Sequence, residues 1–249
     1  MSFRPLENQV ALVTGSGRGI GAAIAKRLAS NGASIVLLDM NASAIDQVAE
    51  EIVTAGGTVL RKIQADLSNA DVADAVAVQL SGDTIDILVN NAGIAPVSSF
   101  VEITAGQFDS MVAINMRSVF FLTQALLPRI RDGGRIINIS SSLKKTYAPG
   151  FIAYVSIKGF IEAFTKYLAG EIGTRGITVN AISPGAINTG LNPWFDTDEG
   201  KATLLKDQAL KTLGMPEYIA DAAAFLASPN SNWISGAILD VDGGFKLVP

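Results

Sequence analysis

Tyr154 and Lys158 stand four residues apart, in Tyr154-Val155-Ser156-Ile157-Lys158, in a 249-residue chain with no histidine and no cysteine. A general acid or base in such a chain must come from Asp, Glu, Lys or Tyr. Phe151, Ile152, Phe160, Ile161 and Phe164 around the pair read as one apolar helical face. At that spacing the two side chains are neighbours on the helix surface. A phenol ionises near pH ~10. A cation about 4 Å away at an effective dielectric near 20 contributes roughly 4 kcal/mol, enough to bring that value down towards 7. Tyr154 is therefore expected to exchange a proton near neutral pH. An ordinary surface helix also carries this spacing, so the elements around it decide.

Composition narrows the field. Hydrophobic residues make up 49% and charged residues 17%, the balance of a globular chain rather than a disordered one. The net charge of −4, with no long basic run, argues against nucleic acid or an anionic membrane surface as partner. No uninterrupted apolar stretch nears the ~18 residues a bilayer span needs, so no membrane span is expected. The start, Met1 to Asn8, has no apolar signal-peptide core. A cytoplasmic protein is the expectation. Lack of cysteine removes disulfides and thiolate chemistry, and no ligand cluster for a metal stands out.

Short β-branched runs alternate with helical patterns. Val10–Val13, Ser34–Leu38, Val59–Gln64, Ile85–Val89, Arg135–Ile139, Ile177–Ile182 and Ile238–Val241 read as strands. Runs such as Ser34-Ile35-Val36-Leu37-Leu38 are apolar throughout, which implies burial on both faces of a parallel sheet. The expected fold is α/β: one doubly wound, Rossmann-type parallel sheet of about seven strands with helices on both faces, in a single domain over 1–249. Thr189 to Thr212 is polar and irregular in pattern and follows a strand's carboxyl end. It is either a substrate lid, at about 190–212, or a solvated loop.

Thr14-Gly15-Ser16-Gly17-Arg18-Gly19-Ile20-Gly21 follows the first strand and opens the first helix. Glycines permit a sharp turn and close approach, and a helix N-terminus offers free N–H groups to a pyrophosphate. Asp39 closes the second strand, where a carboxylate binds adenosine ribose hydroxyls and repels the extra phosphate of NADP. Alternatively it caps the next helix. Arg18 is the counter-signal, a cation able to bind that phosphate. The balance favours NAD over NADP.

These motifs, with Asn90-Asn91-Ala92-Gly93 and Ser183-Pro184-Gly185, resemble the short-chain dehydrogenase/reductase family from Gln9 to Gly244. The resemblance implies that Tyr154 is the acid/base and that Lys158 holds the nicotinamide ribose and lowers the Tyr154 pKa. Ser141, thirteen residues before Tyr154, would hydrogen-bond the substrate oxygen, with Ser140 and Ser142 as alternatives in register. Asn115 would anchor a water relay to Lys158, or else cap as a buried residue. Gly15, Arg18, Gly19, Ile20, Gly21 and Gly93 would surround the cofactor, with Asp66 and Leu67 at the adenine. Asn90 would contact the ribose region or simply stitch strands. Pro184, Gly185, Ile187 and Thr189 would hold the nicotinamide end.

The family often has glycine where this chain has Lys144, followed by Lys145. That pair would recognise an anionic substrate, or sit in a solvated loop. The expected function is NAD(H)-dependent interconversion of a secondary alcohol and a ketone. An NADPH-dependent 3-oxoacyl-thioester reductase is the alternative, and a non-catalytic dinucleotide-binding regulatory protein a further one. The resemblance also implies a homotetramer, through Phe108–Arg131 with Ala153–Gly173 and through Ile238–Val248.

Overall fold

Seven strands form one sheet in the order β3-β2-β1-β4-β5-β6-β7, with every neighbouring pair parallel. They are β1 (Val10–Thr14), β2 (Ser34–Asp39), β3 (Thr58–Gln64), β4 (Ile85–Asn90), β5 (Ile130–Ile139), β6 (Thr178–Pro184) and β7 (Ile238–Val241). The computed structural model describes residues 4–190 and 193–247. Leu191 and Asn192 of the expected lid and Val248 of the expected interface lie outside the described residues.

The apolar strands serve both faces by simple alternation. Ala11, Val13, Ile35, Leu37, Ile87 and Val89 pack on one side, beneath α1 (Gly19–Ser30), α2 (Ala42–Thr54) and α8 (Pro216–Ala227). Leu12, Val36, Leu38, Leu88, Ile136 and Val179 pack on the other, beneath α3 (Val72–Gln79), α5 (Ser118–Leu126) and α6 (Ile152–Ile172). This is the doubly wound Rossmann-type fold expected from the sequence.

Sheet order reverses between β1 and β4, and ligands of such sheets bind at the carboxyl ends beside that point. The glycine turn after β1 and the Asn91–Gly93 segment after β4 meet there. The Asn91 side-chain amide donates to the carbonyls of Thr14 (2.9 Å) and Gly15 (3.2 Å), locking the two loops together.

Two segments differ from the sequence expectation. Between the Pro193–Asp196 3-10 turn and the next strand lies a nine-residue helix, α7 (Asp198–Lys206), where irregular chain was expected. Thr197 starts it by accepting the Gly200 N–H on Oγ1 at 3.0 Å, a cap that overrides the polar, loop-like composition. The continuous helical run Ala105–Arg129 is long and apolar enough by composition to cross a membrane, contrary to the sequence reading. It comprises α4 (Ala105–Val112), a π-helical turn (Ala113–Arg117), α5 and a 3-10 turn. Met111, Val119, Leu122 and Leu126 bury one side of it in the core against the sheet and its neighbouring helices.

Gly21 sets how closely α1 approaches β1. A Cβ there would run into the Gly15 carbonyl and the Asn91 amide, both of them fixed backbone or backbone-locked groups. Gly21→Ala is expected to cost about 1–3 kcal/mol by overpacking and to weaken dinucleotide binding. Urea denaturation and nucleotide fluorescence titration measure the two effects. Wild-type values of both would show that α1 is free to move outward.

Candidate active site

Lys158 is only 5% exposed, and its ammonium donates to the Ile139 carbonyl at the end of β5, at 2.6 Å. Burial pulls its pKa down to about 8. Tyr154, one helical turn earlier on α6, presents its ring face to the same ammonium, whose nitrogen lies 5.5 Å from the ring centre. Burial raises the phenol pKa, and a hydrogen bond with Ser141 opposes that without reversing it. The expected lowering of the Tyr154 pKa is therefore corrected for the protein without ligands. The cation lies over the ring, and desolvation dominates.

The register of the serines is resolved by where each hydroxyl goes. Ser140 donates to Glu162 Oε1 at 2.8 Å and Ser142 to Asp242 Oδ2 at 3.0 Å. Ser141 alone of the three bonds Tyr154. It also accepts the Leu143 N–H at 3.3 Å, which caps the 3-10 turn Ser142–Lys145.

From Tyr154 and Lys158 a cleft of about 760 Å³ runs across the switch point, past Thr189, to Asp66 and Leu67. Gly15, Arg18, Gly19, Ile20, Gly21, Asp39 and Gly93 line it. The first turn of α1 has no side-chain cap, so its N–H groups remain open to an anion. Gly19 (φ 54°) keeps the passage clear, since a Cβ there would come within 3.3 Å of Thr189. Asp39 accepts the Gly17 N–H at 2.9 Å and the Asn41 N–H at 3.0 Å. Those two bonds leave lone pairs for ribose hydroxyls. Arg18 is exposed and its side chain makes no hydrogen bond or ion pair among the described residues. An open helix N-terminus, a glycine cradle, a carboxylate at the second strand and a cation at the far end fit a nicotinamide dinucleotide.

Other assignments need correction. The Asn90 side chain donates to Thr123 Oγ1 (3.0 Å) and Asn138 Oδ1 (2.8 Å), buried between β4, β5 and α5. It stitches the fold and does not face the cleft. Among Pro184, Gly185, Ile187 and Thr189, Thr189 lines the cleft. Gly185 and Ile187 line a separate cavity of about 250 Å³, with Gly185 N–H bonded to the Val241 carbonyl at 3.1 Å. Lys144 and Lys145 do not form a free cationic site for substrate. Lys144 pairs with Glu162 at 2.8 Å, and Lys145 with Asp240 and Asp242 at 2.9 and 2.7 Å. Their charge is already compensated, so neither is available to an anion.

Asn115 lies in the π-helical turn, a distortion often found at functional sites. Its amide accepts the Ile94 N–H at 2.9 Å and donates to the Ile94 carbonyl at 2.7 Å, clamping the loop after Gly93. The sequence offered Asn91, with Asn90, as a residue that stitches strands, and its bonds to Thr14 and Gly15 are of that kind. Sequence reasoning missed Gly17, Ile94 and the Ile139 carbonyl. Gly17 lay within the glycine run; the backbone partners carry no residue-type signal.

The family model described as enoyl-(acyl carrier protein) reductase matches residues 15–246. A solved short-chain dehydrogenase/reductase from Serratia marcescens superposes with a TM-score of 0.92 at 40% identity, over 97% of this chain and 99% of that one. The chain is a short-chain dehydrogenase/reductase. It is also 37% identical to the 3-oxoacyl-(acyl-carrier-protein) reductase of Chlamydia trachomatis, over 96% of this chain and 98% of that protein. The angucycline C-6 ketoreductase LanV, solved with bound NADP, gives a TM-score of 0.91 at 37% identity over 98% of each chain. A short-chain dehydrogenase/reductase binds a nicotinamide cofactor, and the cleft described above is the place with the groups to do so.

The buried lysine in this short-chain dehydrogenase/reductase has a cost that can be measured. Its folded pKa lies near 8 against an ordinary value of 10.5, so the unfolded chain binds more protons between those pH values. Stability therefore rises as pH climbs through that window, and below it the buried charge costs about 3 kcal/mol. Lys158→Met is expected to raise the melting temperature of the ligand-free protein at pH 7, with the gain fading between pH 8 and 10.5. A pH-independent difference in thermal melts would contradict this.

Proposed function

We propose that this chain is an NAD(H)-dependent oxidoreductase that interconverts a secondary alcohol and a ketone, with Tyr154 as acid/base. The observation that carries the reading is the contact of Ser141 with Tyr154, beside buried Lys158, at one end of a cleft sized for a dinucleotide. When bound, the nicotinamide supplies or accepts a hydride at the substrate carbon.

In reduction the Tyr154 phenol gives its proton to the carbonyl oxygen. Burial keeps that phenol protonated through neutral pH, which suits an acid. The Ser141 hydroxyl donates a hydrogen bond to the same oxygen, where negative charge develops. Lys158, mostly charged at pH 7, would hold the nicotinamide ribose hydroxyls. Thr189 and the loop clamped by Asn115 would orient the ring. In oxidation Tyr154 must first lose its proton. Oxidation should thus accelerate, and reduction slow, as pH rises through the Tyr154 pKa. The reading includes residues 190–212 as a substrate lid. It also includes a homotetramer, supported by exposed Phe108, Phe120, Phe121 and Tyr167 on α4–α6.

Asp39 in the cleft supports NAD. A second reading, an NADPH-dependent 3-oxoacyl-thioester reductase, is favoured by the unpaired Arg18 on the cleft rim and by the names of two relatives. Comparison of kcat/KM with NADH and NADPH separates the two. Preference for NADH supports the first reading. Preference for NADPH that Arg18→Ala abolishes supports the second.

Tyr154→Phe is expected to keep dinucleotide affinity and to lower kcat by about 10²–10⁴-fold. Steady-state kinetics with fluorescence titration measure both. A kcat near wild type would remove Tyr154 from the chemistry.

A further inference from the structure

Ser141 lies on the turn between β5 and α6, outside any strand or helix, one residue past Ser140, whose N–H donates to the Ile182 carbonyl of β6 at 2.7 Å. Beyond that last backbone bond to the sheet, side chains tie the turn to its neighbours. Lys144 Nζ donates to Glu162 Oε1 at 2.8 Å, to Ser183 Oγ at 2.8 Å and to the carbonyl of Ser141 itself at 3.4 Å. Glu162 Oε1 also accepts the Ser140 hydroxyl at 2.8 Å. On the far side Ser142 and Lys145 bind Asp242, at 3.0 and 2.7 Å.

Glu162 stands four residues beyond Lys158 and eight beyond Tyr154, one and two turns along α6. Ser183 is completely buried near the end of β6. Lys144 and Glu162 side chains are 21% and 18% exposed, so water screens their attraction only in part. The turn carrying Ser141 is thus latched to the helix carrying Tyr154 by a largely desolvated ion pair, and to the sheet by a buried hydroxyl. Lys144 does not line the cleft.

We propose that Lys144 is a positioning residue: through Glu162 on α6 and Ser183 on β6 it holds the Ser141 hydroxyl against the Tyr154 phenol. This rests on the roles proposed for Ser141 and Tyr154. Lys144 works through the serine turn and touches no reacting atom.

The test compares Lys144→Met, Lys144→Arg and the double variant K144M/E162M with wild type. Lys144→Met strands a half-buried carboxylate and can fail to fold for that reason alone, whereas the double variant removes both charges together. Two readouts are taken: steady-state kinetics, and titration of Tyr154 by tyrosine ring-carbon NMR, assigned with Tyr154→Phe. In K144M and the double variant kcat should fall about ten- to a hundred-fold, as for a misplaced group, with the cofactor KM unchanged. The Tyr154 midpoint should rise, because the Ser141 bond that lowers it is loosened. Lys144→Arg, which keeps charge and donors, should recover most of both. A folded double variant with a wild-type midpoint and wild-type kcat overturns the proposal. The NMR midpoint needs no turnover. An inactive wild type whose midpoint still depends on Lys144 would reject the proposed reaction and keep the latch. An active wild type with an invariant midpoint would reject the latch alone.

Discussion

Burying the Lys158 ammonium against the Ile139 carbonyl at 2.6 Å sets the depth of α6 relative to the end of β5, and the site geometry follows from that depth. The ammonium keeps a single protein acceptor among the described residues, which leaves donors free inside the cleft. Ile139 is the last residue of β5, two before Ser141. Tyr154 is one turn up the same helix as Lys158. One hydrogen bond thus relates the strand end, the serine turn and the tyrosine helix.

That arrangement trades stability for chemistry. A buried amine that titrates near 8 destabilises the ligand-free fold, and a ligand hydroxyl accepting from it would restore part of what is lost. The phenol is likewise held in an environment that opposes its ionisation. Neighbouring ion pairs among Lys144, Lys145, Glu162, Asp240 and Asp242 stabilise the turn between these two strained groups. Polar side chains that first suggested substrate recognition instead give the irregular turn rigidity.

The fold was legible because its signals are local. Short β-branched runs marked all seven strands, and glycines after β1 marked the turn that must approach a ligand. Tyr154, Lys158, Asp39 and the glycine turn were legible for the same reason. What escaped depends on partners distant in sequence. Asn90 is claimed by Thr123 and Asn138, which only the packed sheet brings near. Lys144 and Lys145 read as free cations until Glu162, Asp240 and Asp242 arrive from α6 and β7. The direction of the Tyr154 pKa depends on burial, and a four-residue spacing gives proximity without giving desolvation. The helix α7 was hidden by a polar composition that its Thr197 cap outweighs.

The central claim is that this site moves a hydride between a nicotinamide and a carbinol carbon while Tyr154 handles the proton. Its most direct measurement is label transfer from reduced dinucleotide deuterated at C4 of the nicotinamide, incubated with a panel of ketones and read by mass spectrometry. Deuterium is expected on the carbinol carbon of at least one product, from one face of the nicotinamide only. Tight dinucleotide binding with no deuterium in any product would contradict it.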